Sequence, residues 1–436
     1  MTKDNTSKLG IWTSTSLVVG NMIGSGIFLM PAALAMFGSI GLLGWVFAGA
    51  GAILLAKVFS NLSHIMPVAD GGPYAYTRGG LGDFAGFLVA WGYWISIWCT
   101  NAAIAIAFVS ALSTFLPLLA TNSLLSVLVG LGAIWLLTWV NTKGVVASGK
   151  LQLVTTILKI VPLVLVSVGG LFFLKFENFI PFNISEVSDF EAIMDTAALT
   201  FFAFLGIECA TIPGQNVDNP EVTIPKATMY GTLLVTILYI FSTVSVMGMI
   251  PGEILRDSVT PFADAAVIIW GPSAAYWVSG GVAIAAFGAL NGWILIQGQI
   301  PSAIAKDKLF PAVFAKSNKH GVPSTGIIIG SVLVSIAMAM NYTEGLVSQF
   351  KFLILLSTLT VLVPYLFSTA SYVIMSFNQK YFNSKKLEII TLGCLAFLYS
   401  LWAVAGSGQE TVYWGFILMM AGIPFYVFIL WKNNKE

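Results

Sequence analysis

Charge is what this 436-residue chain has least of: Asp, Glu, Lys and Arg make up 9% of it, against about 25% in a soluble domain. A chain so poor in charge cannot clothe a water-soluble globule. With 57% hydrophobic residues and a mean hydropathy of +0.89 it reads as a polytopic membrane protein. The formal net charge of +1 gives no ground for a nucleic-acid or acidic partner. Histidine is nearly absent, with only His64 and His320, both near loops. No His-Glu-x-x-His pair, Gly-x-Ser-x-Gly elbow or phosphate loop occurs, which excludes the enzyme classes built on them. Cys99, Cys209 and Cys394 stand in apolar segments without metal-ligand spacing, so buried, inert thiols are expected rather than a disulfide framework or a zinc site. No cofactor and no metal is expected. Rings of like residues or a filter-like loop, the marks of a channel, are also missing.

What is present is a series of apolar segments. Stretches near 11–37, 40–63, 82–117, 123–141, 151–174, 192–215, 227–250, 273–300, 323–341, 352–376, 388–405 and 411–431 each approach the roughly 20 residues that span about 30 Å of hydrocarbon. Twelve crossings are therefore expected, with no soluble domain left over. The third segment is so long that it must tilt or project beyond the bilayer. The polar start, Met1 to Leu9, is followed by no cleavage signal and reads as retained. Lys and Arg crowd the loops on the side of the N-terminus, including Lys3, Lys8, Arg78, Lys143, Lys226 and Lys316, whereas the other side holds Lys175, Arg256 and Lys351. By the positive-inside rule both termini are cytoplasmic.

Two of these segments are interrupted. The first contains Gly20-Asn21-Met22-Ile23-Gly24-Ser25-Gly26-Ile27-Phe28, where glycines flanking a serine favour unwinding and let a ligand approach the main chain. Unwound backbone at membrane depth survives only where it lines a cavity or is buried in protein. Freed N–H groups suit a carboxylate and freed carbonyls an ammonium, which together describe an amino acid; close helix packing is the other use of such glycines. The sixth segment reads Phe201-Phe202-Ala203-Phe204-Leu205-Gly206-Ile207-Glu208-Cys209, a glycine break followed by a carboxylate. The breaks lie five segments apart, an odd separation that inverts topology, and such pairs point to a transporter site between inverted repeats. Residues of about 11–174 and 192–376 would form the repeats, with two further helices over about 388–431. Tyr93, Ile97, Asn101 and Ile104 share one helical face in the third segment. Asn101 there either bonds another helix or meets a ligand. Trp293 is suited to stack on a cationic head, or else to pack a core.

Three motifs carry a resemblance: Gly24-Ser25-Gly26-Ile27-Phe28, Asp70-Gly71-Gly72-Pro73-Tyr74-Ala75-Tyr76, and Asn219-Pro220-Glu221-Val222-Thr223-Ile224-Pro225-Lys226-Ala227. They resemble the signatures of the amino acid, polyamine and organocation transporter superfamily. Leu309-Phe310-Pro311, Val363-Pro364-Tyr365-Leu366 and Trp402-Ala403-Val404-Ala405-Gly406-Ser407-Gly408 narrow it to the basic amino acid/polyamine antiporters, the bacterial arginine/agmatine exchangers being the nearest pattern. The resemblance runs from end to end. It implies an all-α leucine-transporter fold with a 5+5 inverted repeat, a homodimer in the bacterial inner membrane, and alternating access to an amino acid or amine.

Residue by residue, the resemblance implies that the N–H groups of Ser25 and Gly26 take the substrate carboxylate and the carbonyls of Met22, Phe202 and Leu205 its ammonium. Ser96, Ile97, Asn101, Trp293 and Ser357 would form the subsite for the distal end. Gating or proton coupling falls to Tyr74, Tyr93, Lys159, Glu208 and Tyr365, with Glu208 matching the family's proton-sensing glutamate. Phe202 replaces the usual tryptophan and Ala203 the usual serine, while Ser96, Ile97 and Ile104 depart from the arginine-binding pattern. Lys159 is absent from the nearest pattern; other members of the superfamily carry a lysine there in place of sodium. These departures keep open a second expectation, a proton-coupled or exchanging permease for neutral amino acids.

Overall fold

Without water to serve exposed N–H and C=O groups, a chain in hydrocarbon must bond its backbone within helices, and helices account for the architecture. The computed structural model describes residues 8–24, 26–258, 260–340, 346–378 and 386–433. In chain order the helices are α1 Ile11–Met22, α2 Gly26–Ala35, α3 Gly41–Ile65, α4 Pro73–Leu81, α5 Asp83–Leu112, α6 Ser123–Thr142, α7 Val145–Gly170 and α8 Asp189–Phe201. There follow α9 Pro220–Met249, α10 Pro261–Trp270, α11 Ala274–Lys306, α12 Ser324–Met340, α13 Leu346–Asn378, α14 Lys386–Gly406, α15 Gln409–Met420 and α16 Ile423–Asn433.

Among the described residues ten helical spans are long and apolar enough to cross a membrane, and α1 with α2, bent by 41°, make an eleventh if taken as one span. The expected ninth crossing is the 17-residue α12, at the lower end of the lengths that span a bilayer. The expected third crossing proves shorter than its apolar run: α5 stops at Leu112, and the chain folds back through a separate turn of helix, Leu118–Thr121. At the centre stands α11, with 78% of its apolar window inside the protein, whereas the segment 411–433 has 22% and forms an outer wall.

The two ends of the bundle differ. One face gathers the turn near Gly38, the segment 171–188 and the region of α10; Ile184 N–H bonds Phe37 O at 3.0 Å and Lys175 N–H bonds Gly248 O at 2.9 Å. The other face gathers the start of α1, α4 and the end of α11. There Leu9 pairs with the chain beyond the second break, Leu9 N–H to Asn216 O at 2.8 Å and Asp218 N–H to Leu9 O at 2.9 Å.

Both expected breaks are present, and they touch. Past Met22 the backbone leaves the helix at Ile23 (ψ 82°) and re-enters it at Gly26. Past Phe201 a 3-10 turn, Phe202–Phe204, ends in extended Leu205 (ψ 132°), and Gly206 then turns at φ +113°. That conformation is one that only glycine adopts without strain. A Cβ on Gly206 would also stand 3.3 Å from Asn21 Cβ and 3.4 Å from Met22 N. Gly206→Ala is therefore expected to destabilise the protein by about 1–3 kcal/mol, seen as a lower midpoint of thermal unfolding in detergent. An unchanged midpoint would contradict this reading of the break.

Candidate substrate-binding site

The backbone groups freed at the two breaks are served by three side chains from neighbouring helices. Lys159 of α7, fully buried, donates from Nζ to Gly20 O at 2.7 Å and Ile23 O at 2.8 Å. Tyr239 of α9 donates to Met22 O at 2.7 Å and lies 3.2 Å from Ala203 O, so that one hydroxyl touches both breaks. The Tyr365 hydroxyl of α13 receives the Gly206 N–H at 3.1 Å and donates to Glu208. Glu208 has no exposed surface, and its other carboxylate oxygen is held by the Tyr93 hydroxyl of α5. Among the described residues neither Lys159 nor Glu208 forms an ion pair. Each is held by dipoles rather than by an opposite charge.

Between the breaks lies a cavity of about 60 Å³, lined by Met22, Gly24, Gly26, Phe202, Leu205 and Trp293, with Asn21, Thr100, Ala103, Ile104, Ala203 and Val361 completing its wall. This is room for a few water-sized groups, so a larger occupant requires its walls to move. Five expected contact residues thus converge: Met22, Gly26, Phe202, Leu205 and Trp293. Ser25 lies outside the described residues. Met22 O already accepts from Tyr239 and from Gly24 N–H at 2.9 Å, and Phe202 O accepts Leu205 N–H at 3.3 Å. The Leu205 carbonyl accepts no hydrogen bond among the described residues. Trp293 is 3% exposed and stands edge-on to Tyr93, with ring centroids 6.5 Å apart.

The remaining expected contacts lie behind the wall. Asn101 donates from Nδ2 to Gln297 Oε1 at 2.8 Å. Gln297 in turn bonds Ile327 O at 2.9 Å and Ser331 Oγ at 2.8 Å, so Asn101 joins α5 to α11 and α12. Ser96 turns back to Tyr93 O at 2.7 Å, Ile97 is fully buried, and Ser357 is 1% exposed; none of them lines the cavity. Thr100, one residue from Asn101, lines it instead. Its hydroxyl is a polar group that the helical face through Asn101 did not select, and only the rotation of α5 against α11 distinguishes the two.

Across Phe202 a second cavity, of about 520 Å³, opens toward the face of the 171–188 segment. Gly26, Phe202 and Leu205 line both cavities, so these three residues form the wall they share. On the opposite face a charged layer closes the bundle. Lys306 Nζ lies 3.0 Å from Asp70, Arg78 lies 2.7 Å from Asp83 and 2.8 Å from Asp307, and the Tyr74 hydroxyl donates to Asp307 at 2.8 Å. Burial, together with Asp307 accepting its proton, holds the Tyr74 phenol well above its ordinary range. It is therefore a permanent donor within the charged layer of this face.

The comparisons agree with this geometry. A family model described as amino acid permease matches residues 9–431. The cadaverine/lysine antiporter of Escherichia coli K12 is 32% identical over 426 residues, covering 96% of this chain and 94% of that protein. The putative arginine/ornithine antiporter of Bacillus subtilis is 31% identical, covering 99% of both chains. The putrescine transporter of Haemophilus influenzae is 28% identical, again over 99% of both. Paired broken helices around a partitioned cavity, in a chain matched almost throughout by that family, are the build of a carrier rather than an enzyme, and the chain belongs to the amino acid permease family of the amino acid/polyamine/organocation superfamily.

Proposed function

We propose that this protein is an antiporter exchanging a basic amino acid for an amine or polyamine across the bacterial inner membrane. The relatives named above support the substrate class. The observation that carries the mechanism is the cavity between two broken helices, bounded toward one face by the wall that includes Phe202 and closed toward the other by the Asp70–Lys306 and Arg78–Asp307 pairs. One substrate at a time would lie against Gly26 and Leu205, with its cationic end over Trp293. Phe202 would move to admit it, and the charged layer would part to release it on the other side. The face bearing Lys8, Arg78, Lys306 and Lys316 is assigned to the cytoplasm by its excess of positive charge, so the larger cavity opens outward. The segments of about 11–174 and 192–376 serve as the inverted repeats. A homodimer is part of the same reading, and the protein's mass in detergent tests it.

One observation favours the neutral-permease reading instead: among the described residues no side chain lining the central cavity is acidic, while the Lys159 ammonium sits at the break beside it. Exchange in proteoliposomes decides between the two. Labelled arginine or lysine should enter vesicles preloaded with ornithine, putrescine or cadaverine and fail to enter unloaded ones. Uptake of neutral amino acids alone, under every load, would overturn the basic-substrate reading. Run at acid and neutral pH, the same assay should show a flatter profile for Glu208→Gln if that carboxyl senses protons, and an unchanged profile would remove the role.

Trp293→Leu should raise KM for a cationic substrate about tenfold to thirtyfold and for a small neutral one far less. Equal losses would sink the distal-subsite assignment. Because the Lys159 ammonium already bridges the freed carbonyls of Gly20 and Ile23, uptake is expected to be the same in sodium and in choline salts. A requirement for sodium would refute that substitution of charge.

A further inference from the structure

The larger cavity is apolar over most of its wall, through residues such as Leu29, Met30, Leu199 and Phe202, and polar at three side chains, Asp195, Ser407 and Thr411. Asp195 is exposed, and among the described residues it forms no ion pair and accepts no hydrogen bond. Nor does it serve its helix. The acids in the first turn of α8 are Asp189 and Glu191, and the helix dipole favours negative charge only there. Thr411 is 2% exposed, and among the described residues its hydroxyl has no hydrogen-bond partner, which leaves it able to accept from an incoming donor. Ser407 donates to Val404 O at 2.7 Å, which leaves its lone pairs for an incoming donor.

The chemistry on offer is a carboxylate and two hydroxyl oxygens above a wall that accepts methylenes. A ligand matching it carries N–H donors and positive charge on an aliphatic stem. The surrounding face selects the same sign: the segments 171–199 and 250–273 hold eight Asp and Glu residues against Lys175 and Arg256. Such an excess raises the local concentration of cations and repels anions. Asp195 precedes Phe202 by seven residues, nearly two helical turns, so the two share a face and lie about 10 Å apart along it.

We propose that Asp195 is an outer docking site for the ammonium of a basic amino acid or diamine, occupied before the substrate passes Phe202. This rests on the basic-substrate reading above and adds a residue that sets specificity before the central site does. Full-length protein in proteoliposomes, assayed for uptake of labelled lysine and cadaverine over a range of ionic strength, tests it. Asp195→Asn should raise KM about threefold or more, leave kcat within about twofold, and flatten the salt dependence of uptake. Asp195→Glu should restore most of the loss. Glu186→Gln, which removes the same charge from an exposed position on this face outside the cavity, should leave KM within about twofold. An unchanged KM in Asp195→Asn overturns the docking site, and so does an equal rise in Glu186→Gln, which would assign the effect to the net charge of the face. If the wild type carries neither lysine nor cadaverine but does carry a neutral amino acid, the basic-substrate reading fails and the docking site with it.

Discussion

A helix interrupted in mid-membrane frees carbonyl oxygens and amide hydrogens that hydrocarbon cannot bond, at a cost of several kcal/mol for each group left alone. The structure answers with borrowed donors and acceptors. Lys159 closes two carbonyls of the first break, Tyr239 reaches one carbonyl in each break, and Tyr365 takes the Gly206 N–H while holding Glu208. Four other helices, α5, α7, α9 and α13, are thereby committed to holding two short stretches of irregular chain. The Leu205 carbonyl remains unclaimed among the described residues, and Leu205 lines the cavity.

The two faces of the carrier are closed by different physics. Toward the 171–188 face stands the wall shared by the two cavities, in which the Phe202 ring makes non-directional packing contacts. Toward the other face there are partly exposed ion pairs and a tyrosine hydroxyl, individually weak and screened by salt but joining α4, α5 and α11, and, through the Gln215 N–H on Asp70 at 3.0 Å, the chain beyond the second break. Displacing a ring gives up only packing contacts, whereas opening the charged layer separates ion pairs that join several elements. In the cycle proposed above, that asymmetry would make opening local on one face and concerted on the other.

Much of this was legible in the sequence because its causes are local. Glycine at Gly24, Gly26 and Gly206, each inside an apolar run, announced both breaks, and the segments between them announced the bundle. The charged residues deep in those runs, Lys159 and Glu208, stood out for the same reason. What escaped was everything that depends on pairing across the bundle. Asn101 has its partner in Gln297, 196 positions away, and no periodicity within α5 reveals which neighbour lies opposite. Thr100 was passed over because a helical face drawn through Asn101 turns it aside. The end of α5 at Leu112 was missed because hydropathy continues past it, although the helix does not.

The short pairing of Leu9 with Asn216 and Asp218 has a mechanical consequence. It straps the start of α1 to the chain just beyond the second break, through backbone hydrogen bonds rather than side chains. Moving either element alone would sever two backbone hydrogen bonds, each worth about 1 kcal/mol net; moving them together severs none. A hinge at the touching breaks would therefore carry the start of α1 and the 216–218 segment together.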